Sequence, residues 1–143
     1  MAHVLHGAHR RGCRMKRTWI IAALSAVLSW DSVAGTVSQN EAVNALLGEA
    51  VGTPAAMPAI ASVIRARGSL RGVYGVSNPC VRRASIRSRA VALAAWQQSA
   101  THDASRGCHY FGCGTDSAYF IRIGLHEKFS IGTGKNAIHF WDK

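Results

Sequence analysis

The sequence predicts an α+β domain that is mainly helical, with a short aromatic-rich β region toward the C-terminus. Two observations carry this prediction. Apolar residues recur at helical spacing from about residue 39 to residue 99. Short aromatic stretches at 108–113 and 137–141 then have the character of strands. Without a predicted leader of residues 1–34, 109 of the 143 residues remain, which is the size of one domain.

The N-terminal segment has the pattern of a secretory signal. A basic start, Met-Lys-Arg, precedes an almost wholly apolar run at 18–30, and small residues follow at 32–34. The run is shorter than the ~20 residues that span a membrane, so we expect no stable span after signal removal; a retained anchor is the alternative. Residues 1–14 are interpreted as an unused upstream start and 15–34 as the signal peptide. We expect export to the periplasm, the cell wall or the medium.

The mature chain is basic. Residues 1–34 hold 5 of the 17 Lys and Arg and 1 of the 7 Asp and Glu, so 12 basic and 6 acidic residues remain, a net charge of +6. Basic proteins collect on polyanions. Four arginines cluster at 82–89, without the aromatic spacing of an RNA-binding sheet or the frame of a zinc finger, so we expect no nucleic-acid partner. A solvated face is the ordinary explanation of such a cluster.

Three cysteines remain after export: Cys80, Cys108 and Cys113. An oxidising compartment favours one disulfide and one free thiol, and the sequence leaves the pairing open. A zinc site of Cys108, His109, Cys113 and His139 is the alternative. Its spacing matches no standard frame, so we expect no metal and no other cofactor. No pattern predicts an oligomeric state.

A capping box at 38–41, Ser-Gln-Asn-Glu, predicts that the first helix runs from about Gln39 to Val51. At 100° per residue, Glu49 lies about 60° beyond Leu46, at the edge of an apolar stripe. The members of that stripe are Val43, Leu46, Leu47, Ala50 and Val51.

Glu49 is the catalytic candidate. Glycosidases place a proton donor in apolar surroundings, because such surroundings disfavour a carboxylate. Its small neighbours Ala42 and Ala45 leave room for a ligand. The ordinary alternative is an acid on the solvated flank of a helix.

The second helix begins with Thr53 as N-cap and Pro54 at its first position, and Gly68 ends it. Residues 68–78 form a predicted irregular loop, in which Tyr74 either stacks on a sugar or fills the core. The residues that this helix should bury are Met57, Ile60, Ala61, Val63 and Ile64.

A third helix is predicted over about 85–99, with Trp96 as a packing residue near its end. A polar loop at 101–107 follows, and 117–125 fits either a helix or a strand. The side of the third helix expected to face inward carries Ile86, Ala90, Leu93, Ala94 and Gln97.

Eight short motifs occur in a characteristic order along the chain. They are Asn40-Glu41-Ala42, Leu47-Gly48-Glu49-Ala50, Gly52-Thr53-Pro54, Met57-Pro58-Ala59-Ile60-Ala61, Val63-Ile64-Arg65, Ala94-Ala95-Trp96, His109-Tyr110-Phe111 and His139-Phe140-Trp141. Spread over nearly all of residues 39–141, this order resembles the spore cortex-lytic (SleB-type) cell wall hydrolase family.

The resemblance implies that residues 36–143 form a compact, lysozyme-like catalytic domain that cuts the glycan strands of peptidoglycan. It implies Glu49, in the Gly-Glu-Ala motif, as the catalytic acid/base. A wall substrate also needs a groove lined by apolar and polar groups. The side chains that look suited to bind it are Tyr74, His109, Tyr110, Tyr119, His139 and Phe140.

The family is linked to lytic transglycosylase chemistry, in which one glutamate protonates the glycosidic oxygen and then deprotonates the muramic acid C6 hydroxyl. The product carries a 1,6-anhydro end. A muramidase that uses a second carboxylate, Asp116, is one alternative, since ordinary glycoside hydrolysis uses a carboxylate pair. The other is an exported protein that binds peptidoglycan or polyanions without catalysis.

Overall fold

The computed structural model describes residues 37–143, which form an α+β arrangement. The predicted upstream start and signal peptide lie outside the described residues. Among these residues no helix is long and apolar enough to cross a membrane. The regular elements are α1 (Gln39–Glu49), α2 (Met57–Arg67), α3 (Pro79–Arg83), α4 (Ile86–Gln98), β1 (Tyr110–Cys113), α5 (Ser117–Arg122), β2 (His126–Ile131) and β3 (Ile138–Asp142).

The predicted capping box at the start of α1 is confirmed. The Ser38 hydroxyl accepts a hydrogen bond from the Glu41 amide at 3.3 Å, and the Glu41 carboxylate accepts one from the Ser38 amide at 3.0 Å. The helix ends at Glu49, two residues before its predicted end. Val51, beyond the helix end, is 47% exposed. The prediction that Val51 belongs to the buried apolar stripe was therefore wrong.

The second helix has its predicted core face and its predicted end. Met57, Ile60 and Ile64 are buried, and Gly68 ends α2 in the left-handed conformation at φ 60°. Its start differs from the prediction, because a 3₁₀ turn, Pro54–Ala56, precedes α2. The Thr53 side chain does not cap the helix but donates a 2.5 Å hydrogen bond to the Asn136 carbonyl in the turn between β2 and β3.

The buried face of α4 differs from the predicted one. Ala92, Ala95 and Trp96 are buried, whereas Ile86 is 89% exposed. Alanine occurs on several sides of this helix, so its own pattern selects no face, and the contacts of α4 with α1 and α2 decide which side is covered. Trp96 packs as predicted, and the Arg65 guanidinium lies 3.9 Å from its ring centroid.

The three strands form an antiparallel sheet in the order β1–β3–β2. Strands at β1 and β3 were predicted, and the undecided segment at 117–125, between them, contains α5. Strand β2 was not predicted, because its mostly exposed residues leave only Phe129 and Ile131 as apolar anchors. Phe129 stacks on Phe140 of the neighbouring strand, with ring centroids 4.6 Å apart. This inner face of the sheet packs against the helical core.

The three cysteines of the described segment are free thiols, so the predicted disulfide is absent. Strand β1 alone carries the chain about 10 Å, whereas a disulfide joins Cα atoms within about 7 Å, and this separates Cys108 from Cys113. Cys108 is buried in the core and Cys80 is exposed. The Cys113 sulfur instead lies 2.8 Å from the Thr115 hydroxyl.

Candidate functional site

The C-terminal end of α1 touches the loop between α2 and α3 through two glycines. A Cβ atom on Gly48 would lie only 2.6 Å from the Gly75 Cα, so no larger residue fits between the helix and the loop. Asn78, in the same loop, donates a 3.3 Å hydrogen bond to the Gly48 carbonyl. The glycine of the Gly-Glu-Ala motif is therefore explained by close backbone packing.

Glu49 is half-buried at this contact. Its Oε1 atom accepts a 2.6 Å hydrogen bond from the backbone N–H of Gly75, and Oε2 has no hydrogen-bond partner among residues 37–143. One oxygen is thus anchored by the loop, while the other makes no hydrogen bond within the described segment. The carboxylate belongs to an ordered contact rather than to a freely solvated helix flank.

Tyr74 precedes the glycine that anchors Glu49, and its side chain is 84% exposed. The interpretation that Tyr74 fills the core is therefore wrong. The chain thus carries a solvent-exposed aromatic ring one residue before the Glu49 anchor, and such a ring offers an apolar face to a sugar.

His109 and Tyr110 line a surface cavity of about 420 Å³. Its other lining residues are Arg67, Asp142 and Lys143. The His109 Nδ1 atom lies 3.3 Å from Asp142 Oδ1. The Lys143 backbone N–H, and secondarily the His109 ring, hold the pKa of the Asp142 carboxyl below its usual value.

Tyr110, Tyr119 and His139 share the outer face of the sheet. The rings of Tyr110 and Tyr119 both lie against Phe120, and the His139 ring lies near Trp141. The His139 Nδ1 atom is 2.8 Å from Glu127 Oε1, so the half-buried ring is held by a carboxylate that the sequence analysis did not single out. Tyr119, on α5, is 52% exposed, and its ring centroid lies 5.7 Å from that of Phe120. Phe120 in turn packs on Trp141, with centroids 5.5 Å apart.

Phe140 was predicted to bind substrate, and the structure corrects this. Its side chain is fully buried between the sheet and the helices, against Phe111 and Phe129. A side chain with 0% exposure has no surface to offer a ligand. On β3 inward-facing and outward-facing residues alternate, so the neighbouring His139 points the opposite way.

Asp116, the alternative second carboxylate, serves a local structural role. Its Oδ2 atom accepts a 2.9 Å hydrogen bond from the Cys113 amide, and the Cys113 thiol lies 3.2 Å away. Its Oδ2 atom also lies 2.8 Å from the position of a Cβ on Gly112. The carboxylate thus fixes the turn that follows β1.

Among residues 37–143 no cluster of three or more His, Cys, Asp or Glu side chains is placed to hold a metal ion. The four residues of the alternative zinc site are dispersed. Cys108 is buried, His109 pairs with Asp142 and His139 pairs with Glu127.

Gly75 and Glu127 hold the Glu49 and His139 side chains, and neither role was predicted from the sequence. Neither has a local signal, since each acts on a residue distant in the chain. The chain matches no protein-family model, no curated protein and no solved structure.

Proposed function

We propose that this protein is a lytic transglycosylase that cleaves the glycan strands of peptidoglycan, on a lysozyme-like domain with Glu49 as its single acid/base. The observation that carries the proposal is the anchored carboxylate: Oε1 accepts the Gly75 N–H at 2.6 Å and Oε2 has no partner in the described segment. The family resemblance of the Gly-Glu-Ala motif supplies the substrate class. The exposed Tyr74, one residue before the anchoring Gly75, supports it.

In the proposed mechanism Oε2 is the oxygen that transfers the proton, because Oε1 is held by the Gly75 N–H. An oxygen that accepts a backbone N–H is a poor place for an acidic proton, so the protonated form of Glu49 carries its proton on Oε2. Oε2 donates this proton to the glycosidic oxygen as the bond to the leaving sugar breaks. The resulting carboxylate then accepts the proton of the muramic acid C6 hydroxyl, whose oxygen attacks C1 and closes the 1,6-anhydro ring. Such acid–base transfer contributes roughly 10²–10⁴-fold to rate.

Tyr74 provides a platform for a sugar ring next to the reacting bond. His109 and Tyr110, in their cavity of about 420 Å³, are proposed to contact a more distant part of the strand. Tyr119 and His139 remain candidate contacts on the outer side of the sheet. A polymer can occupy several such positions at once, and binding away from the cleaved bond helps to orient it.

A muramidase mechanism through Asp116 is disfavoured. Hydrolysis requires a second carboxylate that activates water or forms a covalent intermediate. The Asp116 Oδ2 atom already accepts hydrogen bonds from the Cys113 amide and thiol, so moving this carboxylate toward a substrate would release the turn after β1.

The proposed setting is the cell wall outside the cytoplasm. The predicted signal at 15–34 supports export, and the net charge of +6 after its removal favours contact with anionic wall material. Peptidoglycan is accordingly the proposed partner.

The test compares wild type with Glu49→Gln and Asp116→Asn on purified peptidoglycan. Glutamine keeps the size of the side chain but removes the transferable proton, so we expect Glu49→Gln to bind peptidoglycan and to lose at least ~10²-fold in turnover. Asp116→Asn should retain most of its turnover. Mass analysis should find 1,6-anhydro ends in the wild-type fragments.

Other outcomes would replace the proposal. Reducing ends, together with an inactive Asp116→Asn variant, would establish hydrolysis by two carboxylates. Wild-type turnover in Glu49→Gln would show that Glu49 is only an anchor for the Gly75 loop. Binding without any released fragments would establish the non-catalytic alternative.

A further inference from the structure

A cluster of exposed side chains at the junction of α3 and α4 combines positive charge with an apolar residue. Arg82 and Arg83 end α3, and Ile86 and Arg87 begin α4. All four are exposed, and Ile86 is the most exposed large apolar residue of the described segment, at 89%. We call Arg82, Arg83, Ile86 and Arg87 the arginine–isoleucine patch.

The patch lies in a stretch of the chain without acidic residues. No Asp or Glu occurs between Glu49 and Asp103, whereas seven arginines do. Three of these seven are bound within the fold: Arg65 to the Trp96 carbonyl, Arg67 to the Arg71 carbonyl and Arg89 to the Val81 carbonyl. The arginines of the patch have no hydrogen-bond or ion-pair partner among residues 37–143.

The fold gains little from these four side chains. Arg87 lies in the first turn of α4, where the helix dipole disfavours a positive charge. Ile86 has almost all its surface in water, so it contributes little to the burial of apolar surface. The patch is therefore better explained by a partner than by folding.

We propose that the arginine–isoleucine patch docks the protein onto an anionic lipid membrane. Guanidinium groups bind lipid phosphates in a fork geometry. An isoleucine between them can enter the boundary of headgroups and acyl chains, as the apolar residues of interfacial helices do. A soluble polyanion would engage the arginines equally well but would leave Ile86 in water, and this distinguishes a membrane from a wall polymer or a nucleic acid. The inference does not depend on the proposed glycan cleavage.

Such docking is reversible and sensitive to salt. Each arginine near an anionic surface adds about fivefold to affinity at low ionic strength. Insertion of one isoleucine side chain adds about tenfold. Because the arginines are exposed, raising the salt concentration to about 1 M, where the screening length is ~3 Å, should remove most of the binding.

The experiment measures co-sedimentation of residues 34–143, the compact unit that contains the described core, with vesicles. The leader is omitted because its apolar run would itself bind lipid. Vesicles of phosphatidylglycerol and phosphatidylethanolamine are compared with neutral phosphatidylcholine vesicles, and soluble dextran sulfate serves as a polyanion without a bilayer. We expect binding to the anionic vesicles only, weakened about 30-fold in Arg82→Gln/Arg83→Gln and about tenfold in Ile86→Ser.

Matched variants separate the patch from general charge and hydrophobicity. Lys128→Gln/Lys135→Gln removes two exposed charges elsewhere, and Ile121→Ser removes another exposed isoleucine, at 65%. Both should bind vesicles like wild type. Dextran sulfate binding should be weaker in the double arginine variant and unchanged in Ile86→Ser.

Three results would overturn the proposal. One is equal binding to neutral and anionic vesicles. Another is wild-type vesicle binding in Ile86→Ser, which would leave a soluble polyanion as the partner. The third is an equal loss of binding to anionic vesicles in the patch variants and in their matched controls. Melting curves of all variants should coincide with wild type, since every changed residue is exposed.

Discussion

Gly48 and Gly75 lie against each other so closely that neither has space for a side chain. A Cβ on Gly75 would lie 2.7 Å from the Glu49 Cγ and from the Gly48 carbonyl carbon. The pair therefore brings the Gly75 N–H to the Glu49 carboxylate. It also determines where the adjacent Tyr74 emerges into solvent.

A methyl group at this contact should displace the loop. In Gly48→Ala we expect the free energy of unfolding to fall by about 2 kcal/mol, because the added carbon overlaps backbone atoms that cannot rotate away. Displacement of the Glu49 anchor should also reduce peptidoglycan turnover by about 10²-fold in the protein that remains folded. Thermal unfolding and fragment release measure the two effects.

Gly114→Ala is the matched control. There a Cβ would meet nothing closer than the His139 Nε2 atom at 3.8 Å, an ordinary contact. Equal effects of the two substitutions would contradict the close packing of Gly48 on Gly75.

Substitutions at Tyr74 and Phe140 should have separate effects, the first on glycan binding and the second on stability. Tyr74→Ala should leave the free energy of unfolding within about 0.5 kcal/mol of wild type, because the ring is in solvent. It should weaken glycan binding about tenfold through loss of the stacking surface. Phe140→Ala should lower the free energy of unfolding by about 3–5 kcal/mol, because it empties a core position. Calorimetric unfolding and binding to isolated wall fragments report these quantities, and a stability loss in Tyr74→Ala would place that ring in the core after all.

The loop after α4 should make stability depend on pH. The Ser105 hydroxyl, at 2.5 Å, and secondarily the Gly107 and Ser105 amides, hold the pKa of the Asp103 carboxyl below its ordinary value despite some opposing desolvation. A depressed folded-state pKa contributes stability that is complete above the unfolded value of about 3.9 and is lost as the pH falls through the folded value. The stability difference between wild type and Asp103→Asn should therefore be largest above about pH 5 and shrink below about pH 4.

Urea unfolding of both proteins from pH 7 to pH 2 measures this difference. A difference that stays constant over the whole range would show that the Asp103 carboxylate is no better bound in the folded protein than in the unfolded one.

The thiols should react in an order set by burial. Cys80 is exposed and should be alkylated first in the native protein, while Cys108 should react only after unfolding. Burial, the main cause, raises the pKa of the Cys108 thiol and so keeps the reactive thiolate scarce. Mass spectrometry of residues 34–143 after timed alkylation should find three modifiable thiols. The mass deficit of a disulfide would contradict the free cysteines of the structure.

Local patterns predicted much of this fold. The capping box at Ser38, the left-handed Gly68 and the apolar face of α2 are each decided by residues within a turn or two, and all three predictions are confirmed. The class of the fold and the strands near β1 and β3 were also predictable. Glu49 stood out because an acid in an apolar helix is unusual in itself.

Long-range packing decided the rest. The polar strand β2 exists because β3 offers it backbone partners, and the alanine-rich α4 turns Ile86 outward because α1 and α2 cover a different side. The burial of Phe140 and the exposure of Tyr74 depend in the same way on which elements meet. Local sequence decides where α1 begins, where α2 ends and which acid is unusual, since those are local properties of the chain. Only the tertiary structure decided that Gly75 anchors Glu49, because the bond joins residues 26 positions apart.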